Sequence, residues 1–366
     1  MILTTQAAAA LARIARASGV RAEPQTLIPA EIVLELSGEA VRSRLCIFAD
    51  ASGKEYCLRP DLTTPIAQMV ASGALPVARY HESGPVYRLP PRGSDDPVEH
   101  LQLGFEWFGN VSSPAEDAEA LAVALEAAQA GGVRSAQVRF GDVAIYHAVL
   151  DGLPLSAQWR DRLRRGFFRR KGPRELLAEA GNRANIADAT ARIGALGAAE
   201  AEAAVMVELA ALGVEPVGRT AHDIADRLRE KAADKAPDPA SAAAIIDYLS
   251  ITASVADSLA ALRGFAKMAG IDLSGVLETF EERLALIAKL KPPFWRDAIF
   301  SAETGRRFEY YDGVVFELAP AEAPERLIVS GGRYDGLISR LSSGSHSASA
   351  IGAALRADRL AEGARA

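Results

Sequence analysis

The sequence has 366 residues, of which 49% are hydrophobic and 24% are charged, and its formal net charge is −6. This length allows two domains, and the negative charge argues against broad electrostatic binding to nucleic acid, which needs a basic face. Two cysteines, Cys46 and Cys57, are too few for a disulfide scaffold or a four-ligand zinc site, and no charge-free apolar run reaches membrane-spanning length. We therefore expect a cytoplasmic protein with reduced thiols, no metal site and no cofactor.

The N-terminal region mixes helix and strand signals. "MILTTQAAAALARIARASG" predicts an amphipathic helix that ends at Gly19, and it lacks the basic start and continuous apolar core of a secretion signal. "SRLCIFADASGKEYCLRPDLTTP" then predicts a hairpin with a tight turn. If Asp50 pairs with Gly53 in that turn, Cys46 lies opposite Cys57, and we interpret both as thiols of the core.

A well-marked helix follows in "SPAEDAEALAVALEAAQAGG". Ser113 can cap this helix, Pro114 suits its first turn and Gly131 can end it. Glu116 stands where it would complete a capping box with Ser113.

The amino-acid composition changes between 150 and 291, where alanine, leucine, glutamate and arginine dominate. Apolar residues recur there at the three- and four-residue spacing of helices. Pro292-Pro293 ends this region, and strand signals return in "RRFEYYDGVVFELA" and "ERLIVSGG". We predict one domain from 1–140 and 292–366, with 150–291 as a mainly helical insertion.

Two stretches outside the insertion suggest a ligand site. In "HLQLGFEWFG", Gln102, Gly104 and Glu106 alternate with apolar residues, so on a strand they share one face. An amide and a carboxylate above a glycine suit an ammonium or imidazole group, although a solvated sheet face would show the same alternation. "SGGRYDGL" has the composition of a tight turn against a ligand, in which Arg333 offers a fork of donors for a carboxylate or phosphate.

Taken in order, these stretches resemble the catalytic domain of histidyl-tRNA synthetases. "GPVYR" with "QLGFEWFG" resembles motif 2 of that family, "RRFEYY" its histidine-specific box, and "IGAALRADRL" motif 3, while "GGRYDGL" is shared nearly unchanged. The resemblance covers roughly 1–140 and 295–360. It implies a pocket for a histidine-like ligand, formed by Asp61, Gln102, Glu106, Arg306 and Tyr311. It also implies phosphate-binding positions at Arg88 and Arg359.

The sequence also departs from the synthetases. Leu89-Pro90-Pro91 replaces the His-Glu-Arg that follows the motif 2 arginine, and the loop carries Asp95, Asp96 and Glu99 where tRNA phosphates would approach. Arg356 replaces a small glycine of motif 3, and Arg307 replaces the glycine of the histidine-specific box. Synthetases of this family continue past motif 3 into an anticodon-binding domain, whereas this sequence ends at Ala366. We expect the amino-acid half of the pocket to be kept and the phosphate positions to be vestigial.

That pattern resembles the regulatory subunits of ATP phosphoribosyltransferase, a non-catalytic branch of the synthetase family. The resemblance implies an α+β fold of the class II aminoacyl-tRNA synthetase type, an antiparallel sheet flanked by helices, with the α-helical insertion and no anticodon-binding domain. It also implies no catalytic residues and no tRNA partner. The implied partner is the short catalytic subunit, in a complex of four plus four chains that contains homodimers of this chain, with feedback control by histidine. Two alternatives stay open: a ligase that activates histidine with ATP for an acceptor other than tRNA, and a histidine sensor with no fixed enzyme partner.

A basic run from Trp159 to Arg174 stands apart from these motifs. It interleaves arginines with aromatic residues, a pattern that fits a contact with nucleic acid or with an acidic partner surface. A solvated helix end explains the same pattern. The five histidines show no metal-ligand spacing, and we single out only His81 and His100, which flank motif 2.

Overall fold

The computed structural model of the chain describes residues 3–37, 39–169, 171–182, 192–214, 218–233, 236–306 and 309–362. They form two compact units: Met1–Ala148 with Tyr248–Ala366, and Val149–Asp247. The helices are α1 (Thr5–Ser18), α2 (Ala30–Ser37), α3 (Thr63–Ala71), α4 (Pro114–Ala130), α5 (Val143–Gly152), α6 (Ala157–Phe167), α7 (Pro173–Asn182), α8 (Ala198–Leu212), α9 (Ala221–Ala233), α10 (Pro239–Leu249), α11 (Ser258–Ala269), α12 (Ser274–Leu290), α13 (Gly336–Leu341) and α14 (Ala357–Glu362). The strands are β1 (Val20–Arg21), β2 (Leu27–Pro29), β3 (Ile47–Ala49), β4 (Glu55–Leu58), β5 (Arg79–Tyr87), β6 (Glu99–Gly109), β7 (Gln137–Asp142), β8 (Thr252–Ser254), β9 (Ile299–Ser301), β10 (Val314–Ala319), β11 (Val329–Arg333) and β12 (Ser349–Arg356).

The large sheet of the first unit has its strands in the order β1-β5-β6-β12-β11-β10-β7-β9-β8. From β5 across to β7 every neighbouring pair is antiparallel. Only toward the two ends of the sheet do parallel pairs occur, β1 with β5 and β7 with β9. Together with the flanking helices, this confirms the predicted α+β architecture.

The two faces of strand β6, which lies between β5 and β12, have different roles. Trp107 points toward α1, where its indole N–H donates to the Ser18 hydroxyl at 2.8 Å. Helices α1 and α4 pack against each other and against this sheet. The neighbour Glu106 points to the opposite face because side chains alternate along a strand. That opposite face carries the candidate site.

The caps of α1 and α4 follow the sequence signals. Gly19 ends α1 with φ of 72°, in the left-handed region that favours glycine. The Ser113 hydroxyl accepts from the Glu116 backbone N–H at 3.2 Å, and Gly131 follows the last turn of α4. The predicted capping box is wrong in one half: the Glu116 carboxylate accepts from Arg333 at 3.0 Å rather than turning back to Ser113.

The hairpin of β3 and β4 forms, but with a register shifted by one residue from the prediction. Ile47, not Cys46, lies opposite Cys57. The shift arises in the turn, where the Asp50 N–H donates to the Lys54 carbonyl at 3.0 Å, so the closing pair is Asp50 with Lys54. Both thiols are free, and burial raises the pKa of the Cys57 thiol to about 11, which fits a thiol of the core.

The first unit resumes at Tyr248, whereas the predicted insertion extends to 291. Buried ion pairs explain why α12 belongs to the first unit. Arg283 donates to Asp117 of α4 at 2.7 Å and to Asp142 of β7 at 2.6 Å. Strand β8 also joins the large sheet, through antiparallel pairing with β9.

The regular elements described within the second unit are helical. Its apolar cluster contains Ile193, Ala201, Val205 and Ala225. The basic run from Trp159 to Arg174, whose pattern fits both a partner contact and a solvated helix end, begins on α6, where Arg164 pairs with Asp151 at 2.7 Å. Arg170 of that run lies outside the described residues. No helix in the described part of the chain combines the length and the apolar character needed to cross a membrane.

Candidate functional site

A cavity of about 370 Å³ lies on the face of the large sheet opposite α1, within the first unit. Strands β6 and β12 form its floor with Gln102, Glu106, Gly352 and Ala354. Asp61, Thr63 and the loop before β6 contribute to its walls. A cavity of this size matches the space that small ligands occupy in proteins.

The predicted shared face of β6 is present and buried. Gln102 is 3% exposed and Glu106 is 1% exposed, which rules out a solvated sheet face. Glycines make room beside them: a Cβ added to Gly352 would lie 1.9 Å from Glu106 Oε2, and one added to Gly104 would lie 2.5 Å from Glu82 Oε1. The carboxylates therefore lie directly above residues without side chains.

Two hydroxyl groups hold Glu106. The Thr63 hydroxyl donates to Oε1 and the Tyr334 hydroxyl donates to Oε2. Burial, with a smaller contribution from the charge of Asp61, raises the pKa of Glu106 to about 8 against the opposing effect of these two hydrogen bonds. A cationic group placed at Glu106 would favour its ionised form, so the carboxyl is suited to bind an ammonium or imidazole group.

Of the other three predicted pocket residues, two line the cavity and one does not. Asp61 and Tyr311 line the cavity, and the Asp61 carboxylate accepts from the Thr64 N–H at 2.7 Å. Arg306 is not among the lining residues; its guanidinium donates to Glu303 at 3.2 Å. Arg307, which replaces the box glycine, lies outside the described residues.

Another part of the cavity lining is rich in arginine, and we call it the arginine-rich half. Arg88 and Arg359, the predicted phosphate positions, both line it, and so does Arg356. Each already has partners: Arg88 donates to the Pro60 carbonyl at 2.6 Å, and Arg359 to both oxygens of Asp96 at 2.9 and 3.0 Å.

His100 lines the same half and stays neutral near pH 7. Burial, together with the neighbouring positive charges of Arg356 and Arg88, lowers its pKa to about 3. The side chain of Arg356 lies along the cavity wall, where it donates to Asp358 at 2.9 and 2.6 Å.

The segment "SGGRYDGL" is not the tight turn that its composition predicts: it comprises the end of β11 and the start of α13. It contributes to the cavity through a residue other than the one expected. Arg333 is buried on the far side, where it donates to Asp117 at 2.5 Å, to Glu116 at 3.0 Å and to Asp335 at 2.9 Å. The expectation that Arg333 binds a ligand anion is therefore wrong, since its donors connect the end of β11 to α4. Tyr334, the next residue, faces the cavity and donates to Glu106.

Thr63, Tyr334 and Glu82 are functional candidates that the sequence reasoning did not single out. Thr63 and Tyr334 lie within quoted motifs, and strand alternation would have placed Tyr334 on the cavity face. Glu82 is fully buried, and among the described residues neither of its oxygens has a hydrogen-bond partner. In the described ranges, no group of three or more His, Cys, Asp or Glu side chains could hold a metal ion.

Comparisons with known proteins indicate the same family over most of the chain. The family model for histidyl-tRNA synthetase matches residues 4–238 and 220–360. A protein of Brucella anthropi named ATP phosphoribosyltransferase regulatory subunit is 33% identical over 344 residues, which cover 91% of this chain and 90% of the relative. A protein of the same name from Sinorhizobium fredii is 30% identical over 364 residues, which cover 96% of this chain and 94% of the relative.

Solved structures show the same fold. A Bacillus halodurans structure described as an ATP phosphoribosyltransferase regulatory subunit/histidyl-tRNA synthetase has a TM-score of 0.64 at 21% identity. The match covers 97% of this chain and 77% of the chain in that structure. The histidyl-tRNA synthetase of Nostoc sp. has a TM-score of 0.61 at 17% identity, and the match covers 96% of this chain and 69% of the synthetase chain. At these identities the likeness establishes the fold.

Proposed function

Since the chain belongs to the histidyl-tRNA synthetase family and, within it, to the ATP phosphoribosyltransferase regulatory subunits, we propose that it activates the short catalytic subunit of that enzyme by assembling with it. It is a regulatory subunit and not itself a catalytic chain. The observation that carries this proposal is the 33% identity to a protein of that name over 91% of the chain.

The proposal extends to the ligand: the cavity holds histidine or a closely similar molecule. It offers the Glu106 carboxyl and the Gln102 amide, and the Gln102 Nε2 has no hydrogen-bond partner among the described residues. A buried donor without a partner costs free energy that a ligand carboxylate or imidazole nitrogen would recover. Histidine carries an ammonium group, an imidazole and a carboxylate, and so matches both side chains.

Feedback control follows if histidine binds more tightly to one state of the complex than to the other. A ligand shifts an equilibrium only by its differential affinity for the two states. By linkage, a catalytic subunit that stabilises the active state must weaken histidine binding if histidine favours the inactive state. We propose four regulatory and four catalytic chains in the cytoplasmic complex, with homodimers of this chain inside it, on the strength of the family resemblance.

The experiment combines this chain with a short catalytic subunit and follows complex formation by light scattering and phosphoribosyl transfer by product formation. We expect a complex whose transfer rate exceeds that of the catalytic subunit alone and falls when histidine is added. A chain that binds histidine and forms no complex would instead support the sensor with no fixed enzyme partner.

A second candidate, a ligase that adenylates histidine for an acceptor other than tRNA, is favoured by Arg88 and Arg359, which still line the cavity. In such chemistry, positioned arginines would stabilise the charge that develops on the transferred phosphoryl group. The pairing of Arg359 with Asp96 opposes this candidate. Histidine-dependent exchange of pyrophosphate into ATP by this chain with magnesium would establish it, and we expect no exchange.

A further inference from the structure

The loop between β5 and β6 folds inward over the arginine-rich half of the cavity. Its base is closed by the Arg88 N–H, which donates to the Val98 carbonyl at 2.8 Å. At its tip, Gly93 has φ of 83°, and the Asp96 N–H donates to the Ser94 hydroxyl at 3.2 Å. This turn directs Asp96 into the cavity, whereas the adjacent Asp95 is exposed.

Asp96 meets two of the cavity arginines. Both of its oxygens accept from Arg359 Nη2, at 2.9 and 3.0 Å, and Arg356 Nη2 lies 3.7 Å from Oδ1. Burial raises the pKa of Asp96, but the hydrogen bond and charge of Arg359 and the charge of Arg356 outweigh it and leave the pKa below its ordinary value. Asp96 is therefore an anion at neutral pH, at the position where a bound phosphate oxygen would meet the same guanidinium groups.

The two partners of this pair differ in how firmly they are held. The Arg359 side chain is 8% exposed and also donates to the Leu327 carbonyl at 2.9 Å, so its guanidinium is fixed in the wall. The Asp96 side chain is 33% exposed and sits on a loop. The cation belongs to the body of the cavity, and the carboxylate is brought to it by the loop.

We propose that Asp96 is an internal counter-anion that closes the arginine-rich half of the cavity to phosphate-bearing ligands. A phosphate that approaches Arg359 must displace the Asp96 carboxylate or bear its repulsion, so it gains little from the arginines. The part of the cavity around Glu106 remains open to an amino acid. The inference goes beyond the proposed function and does not depend on histidine binding.

The test uses the full chain and the variant Asp96→Asn, with inorganic tripolyphosphate as the probe in isothermal titration calorimetry. Asparagine keeps the size of the side chain and removes its charge. We expect Asp96→Asn to bind tripolyphosphate about 10- to 150-fold more tightly than the wild type, the factor that corresponds to one recovered charge-assisted hydrogen bond. The matched control is Asp95→Asn, which changes the net charge equally in the same loop and should bind as weakly as the wild type.

Two outcomes would overturn the proposal: an Asp96→Asn variant that binds no more tightly than the wild type, or an equal gain in Asp95→Asn, which would reduce the effect to net charge. A double variant, Asp96→Asn with Arg359→Gln, should lose the gain if Arg359 is the cation released.

Thermal unfolding provides a second readout, because Asp96→Asn leaves Arg359 without its anion. Tripolyphosphate should raise the melting temperature of Asp96→Asn more than that of the wild type, and an equal rise in both would contradict the proposal. Asp96→Ser, smaller and also neutral, repeats both measurements if the asparagine variant does not fold. A separate titration with histidine distinguishes the two proposals. If the wild-type protein does not bind histidine, the proposed ligand is wrong, but the proposed role of Asp96 is unaffected.

Discussion

Replacement of Arg283 by methionine should strongly destabilise the first unit. The Arg283 guanidinium joins α12 to α4 and β7 through Asp117 at 2.7 Å and Asp142 at 2.6 Å. The three side chains are 7%, 1% and 2% exposed, respectively. Methionine keeps an apolar stem of similar reach, so the change removes the charge and leaves two buried carboxylates short of a cation.

The expected size follows from that burial. Loss of one partner from a buried ion pair costs about 3–5 kcal/mol, because the remaining charge is left uncompensated in a low-dielectric surrounding. Asp117 also pairs with Arg333, so the cost should lie toward the lower end, at about 3 kcal/mol. The control is Arg263→Met. Arg263 pairs with Glu281 at 2.6 Å, but these side chains are 54% and 51% exposed, and such a pair is worth about 0–1 kcal/mol.

Urea unfolding followed by tryptophan fluorescence can report on the first unit alone. The three tryptophans of the sequence are Trp107 and Trp295 in the first unit and Trp159 in the second. A Trp159→Phe background therefore confines the signal to the first unit. Equal losses in free energy of unfolding for Arg283→Met and Arg263→Met would refute the reasoning that burial decides the value of these pairs.

Two further predictions concern the cavity residues Gln102 and Glu106 and the buried Glu82, which interacts electrostatically with Glu106. Glu106→Gln should weaken histidine binding by about 10- to 150-fold, the loss of one charge-assisted hydrogen bond, and Gln102→Ala should weaken it less; calorimetry that finds equal affinities in all three proteins would place the ligand elsewhere. Burial raises the pKa of Glu82 well above the ordinary value of 4.5 and that of Glu106 to about 8, so both carboxyls hold protons more tightly in the native state. The free energy of unfolding should therefore be highest below pH 4.5 as far as these two groups decide it. It should fall as the pH rises through about 8, by at most about 1.4 kcal/mol per pH unit for each titrating carboxyl. Glu82→Gln should flatten this slope in urea titrations as the pH rises above 4.5, and an unchanged slope would show that Glu82 does not contribute to it.

Local patterns in the sequence were sufficient to predict the part of the site at Gln102 and Glu106. Gln102 and Glu106 share a face because strand alternation needs no knowledge of distant residues. The same alternation, continued one residue past the end of β11, places Ser330 and Tyr334 at the cavity and Arg333 on the other face. The residue type of Arg333 suggested a ligand contact, and its strand position contradicted it.

Other features depend on contacts that a single sequence does not display. The hairpin register depends on which residue pairs with Asp50, and a shift of one residue changes every cross-strand pair. Helix α12 belongs to the first unit because Arg283 meets Asp117 and Asp142, which lie 166 and 141 residues away along the chain. The pairing of Asp96 with Arg359, which lies 263 residues further on, is likewise not visible in the sequence. Such pairings are set by tertiary packing and have no periodic signature.

The rate of phosphoribosyl transfer by a short catalytic subunit, measured with and without this chain, tests the central claim most directly. The measurement is made without histidine and at concentrations where light scattering shows a complete complex. Activation through assembly predicts a higher rate in the complex and no histidine-dependent pyrophosphate exchange by this chain alone. An unchanged rate in a fully formed complex would contradict the account.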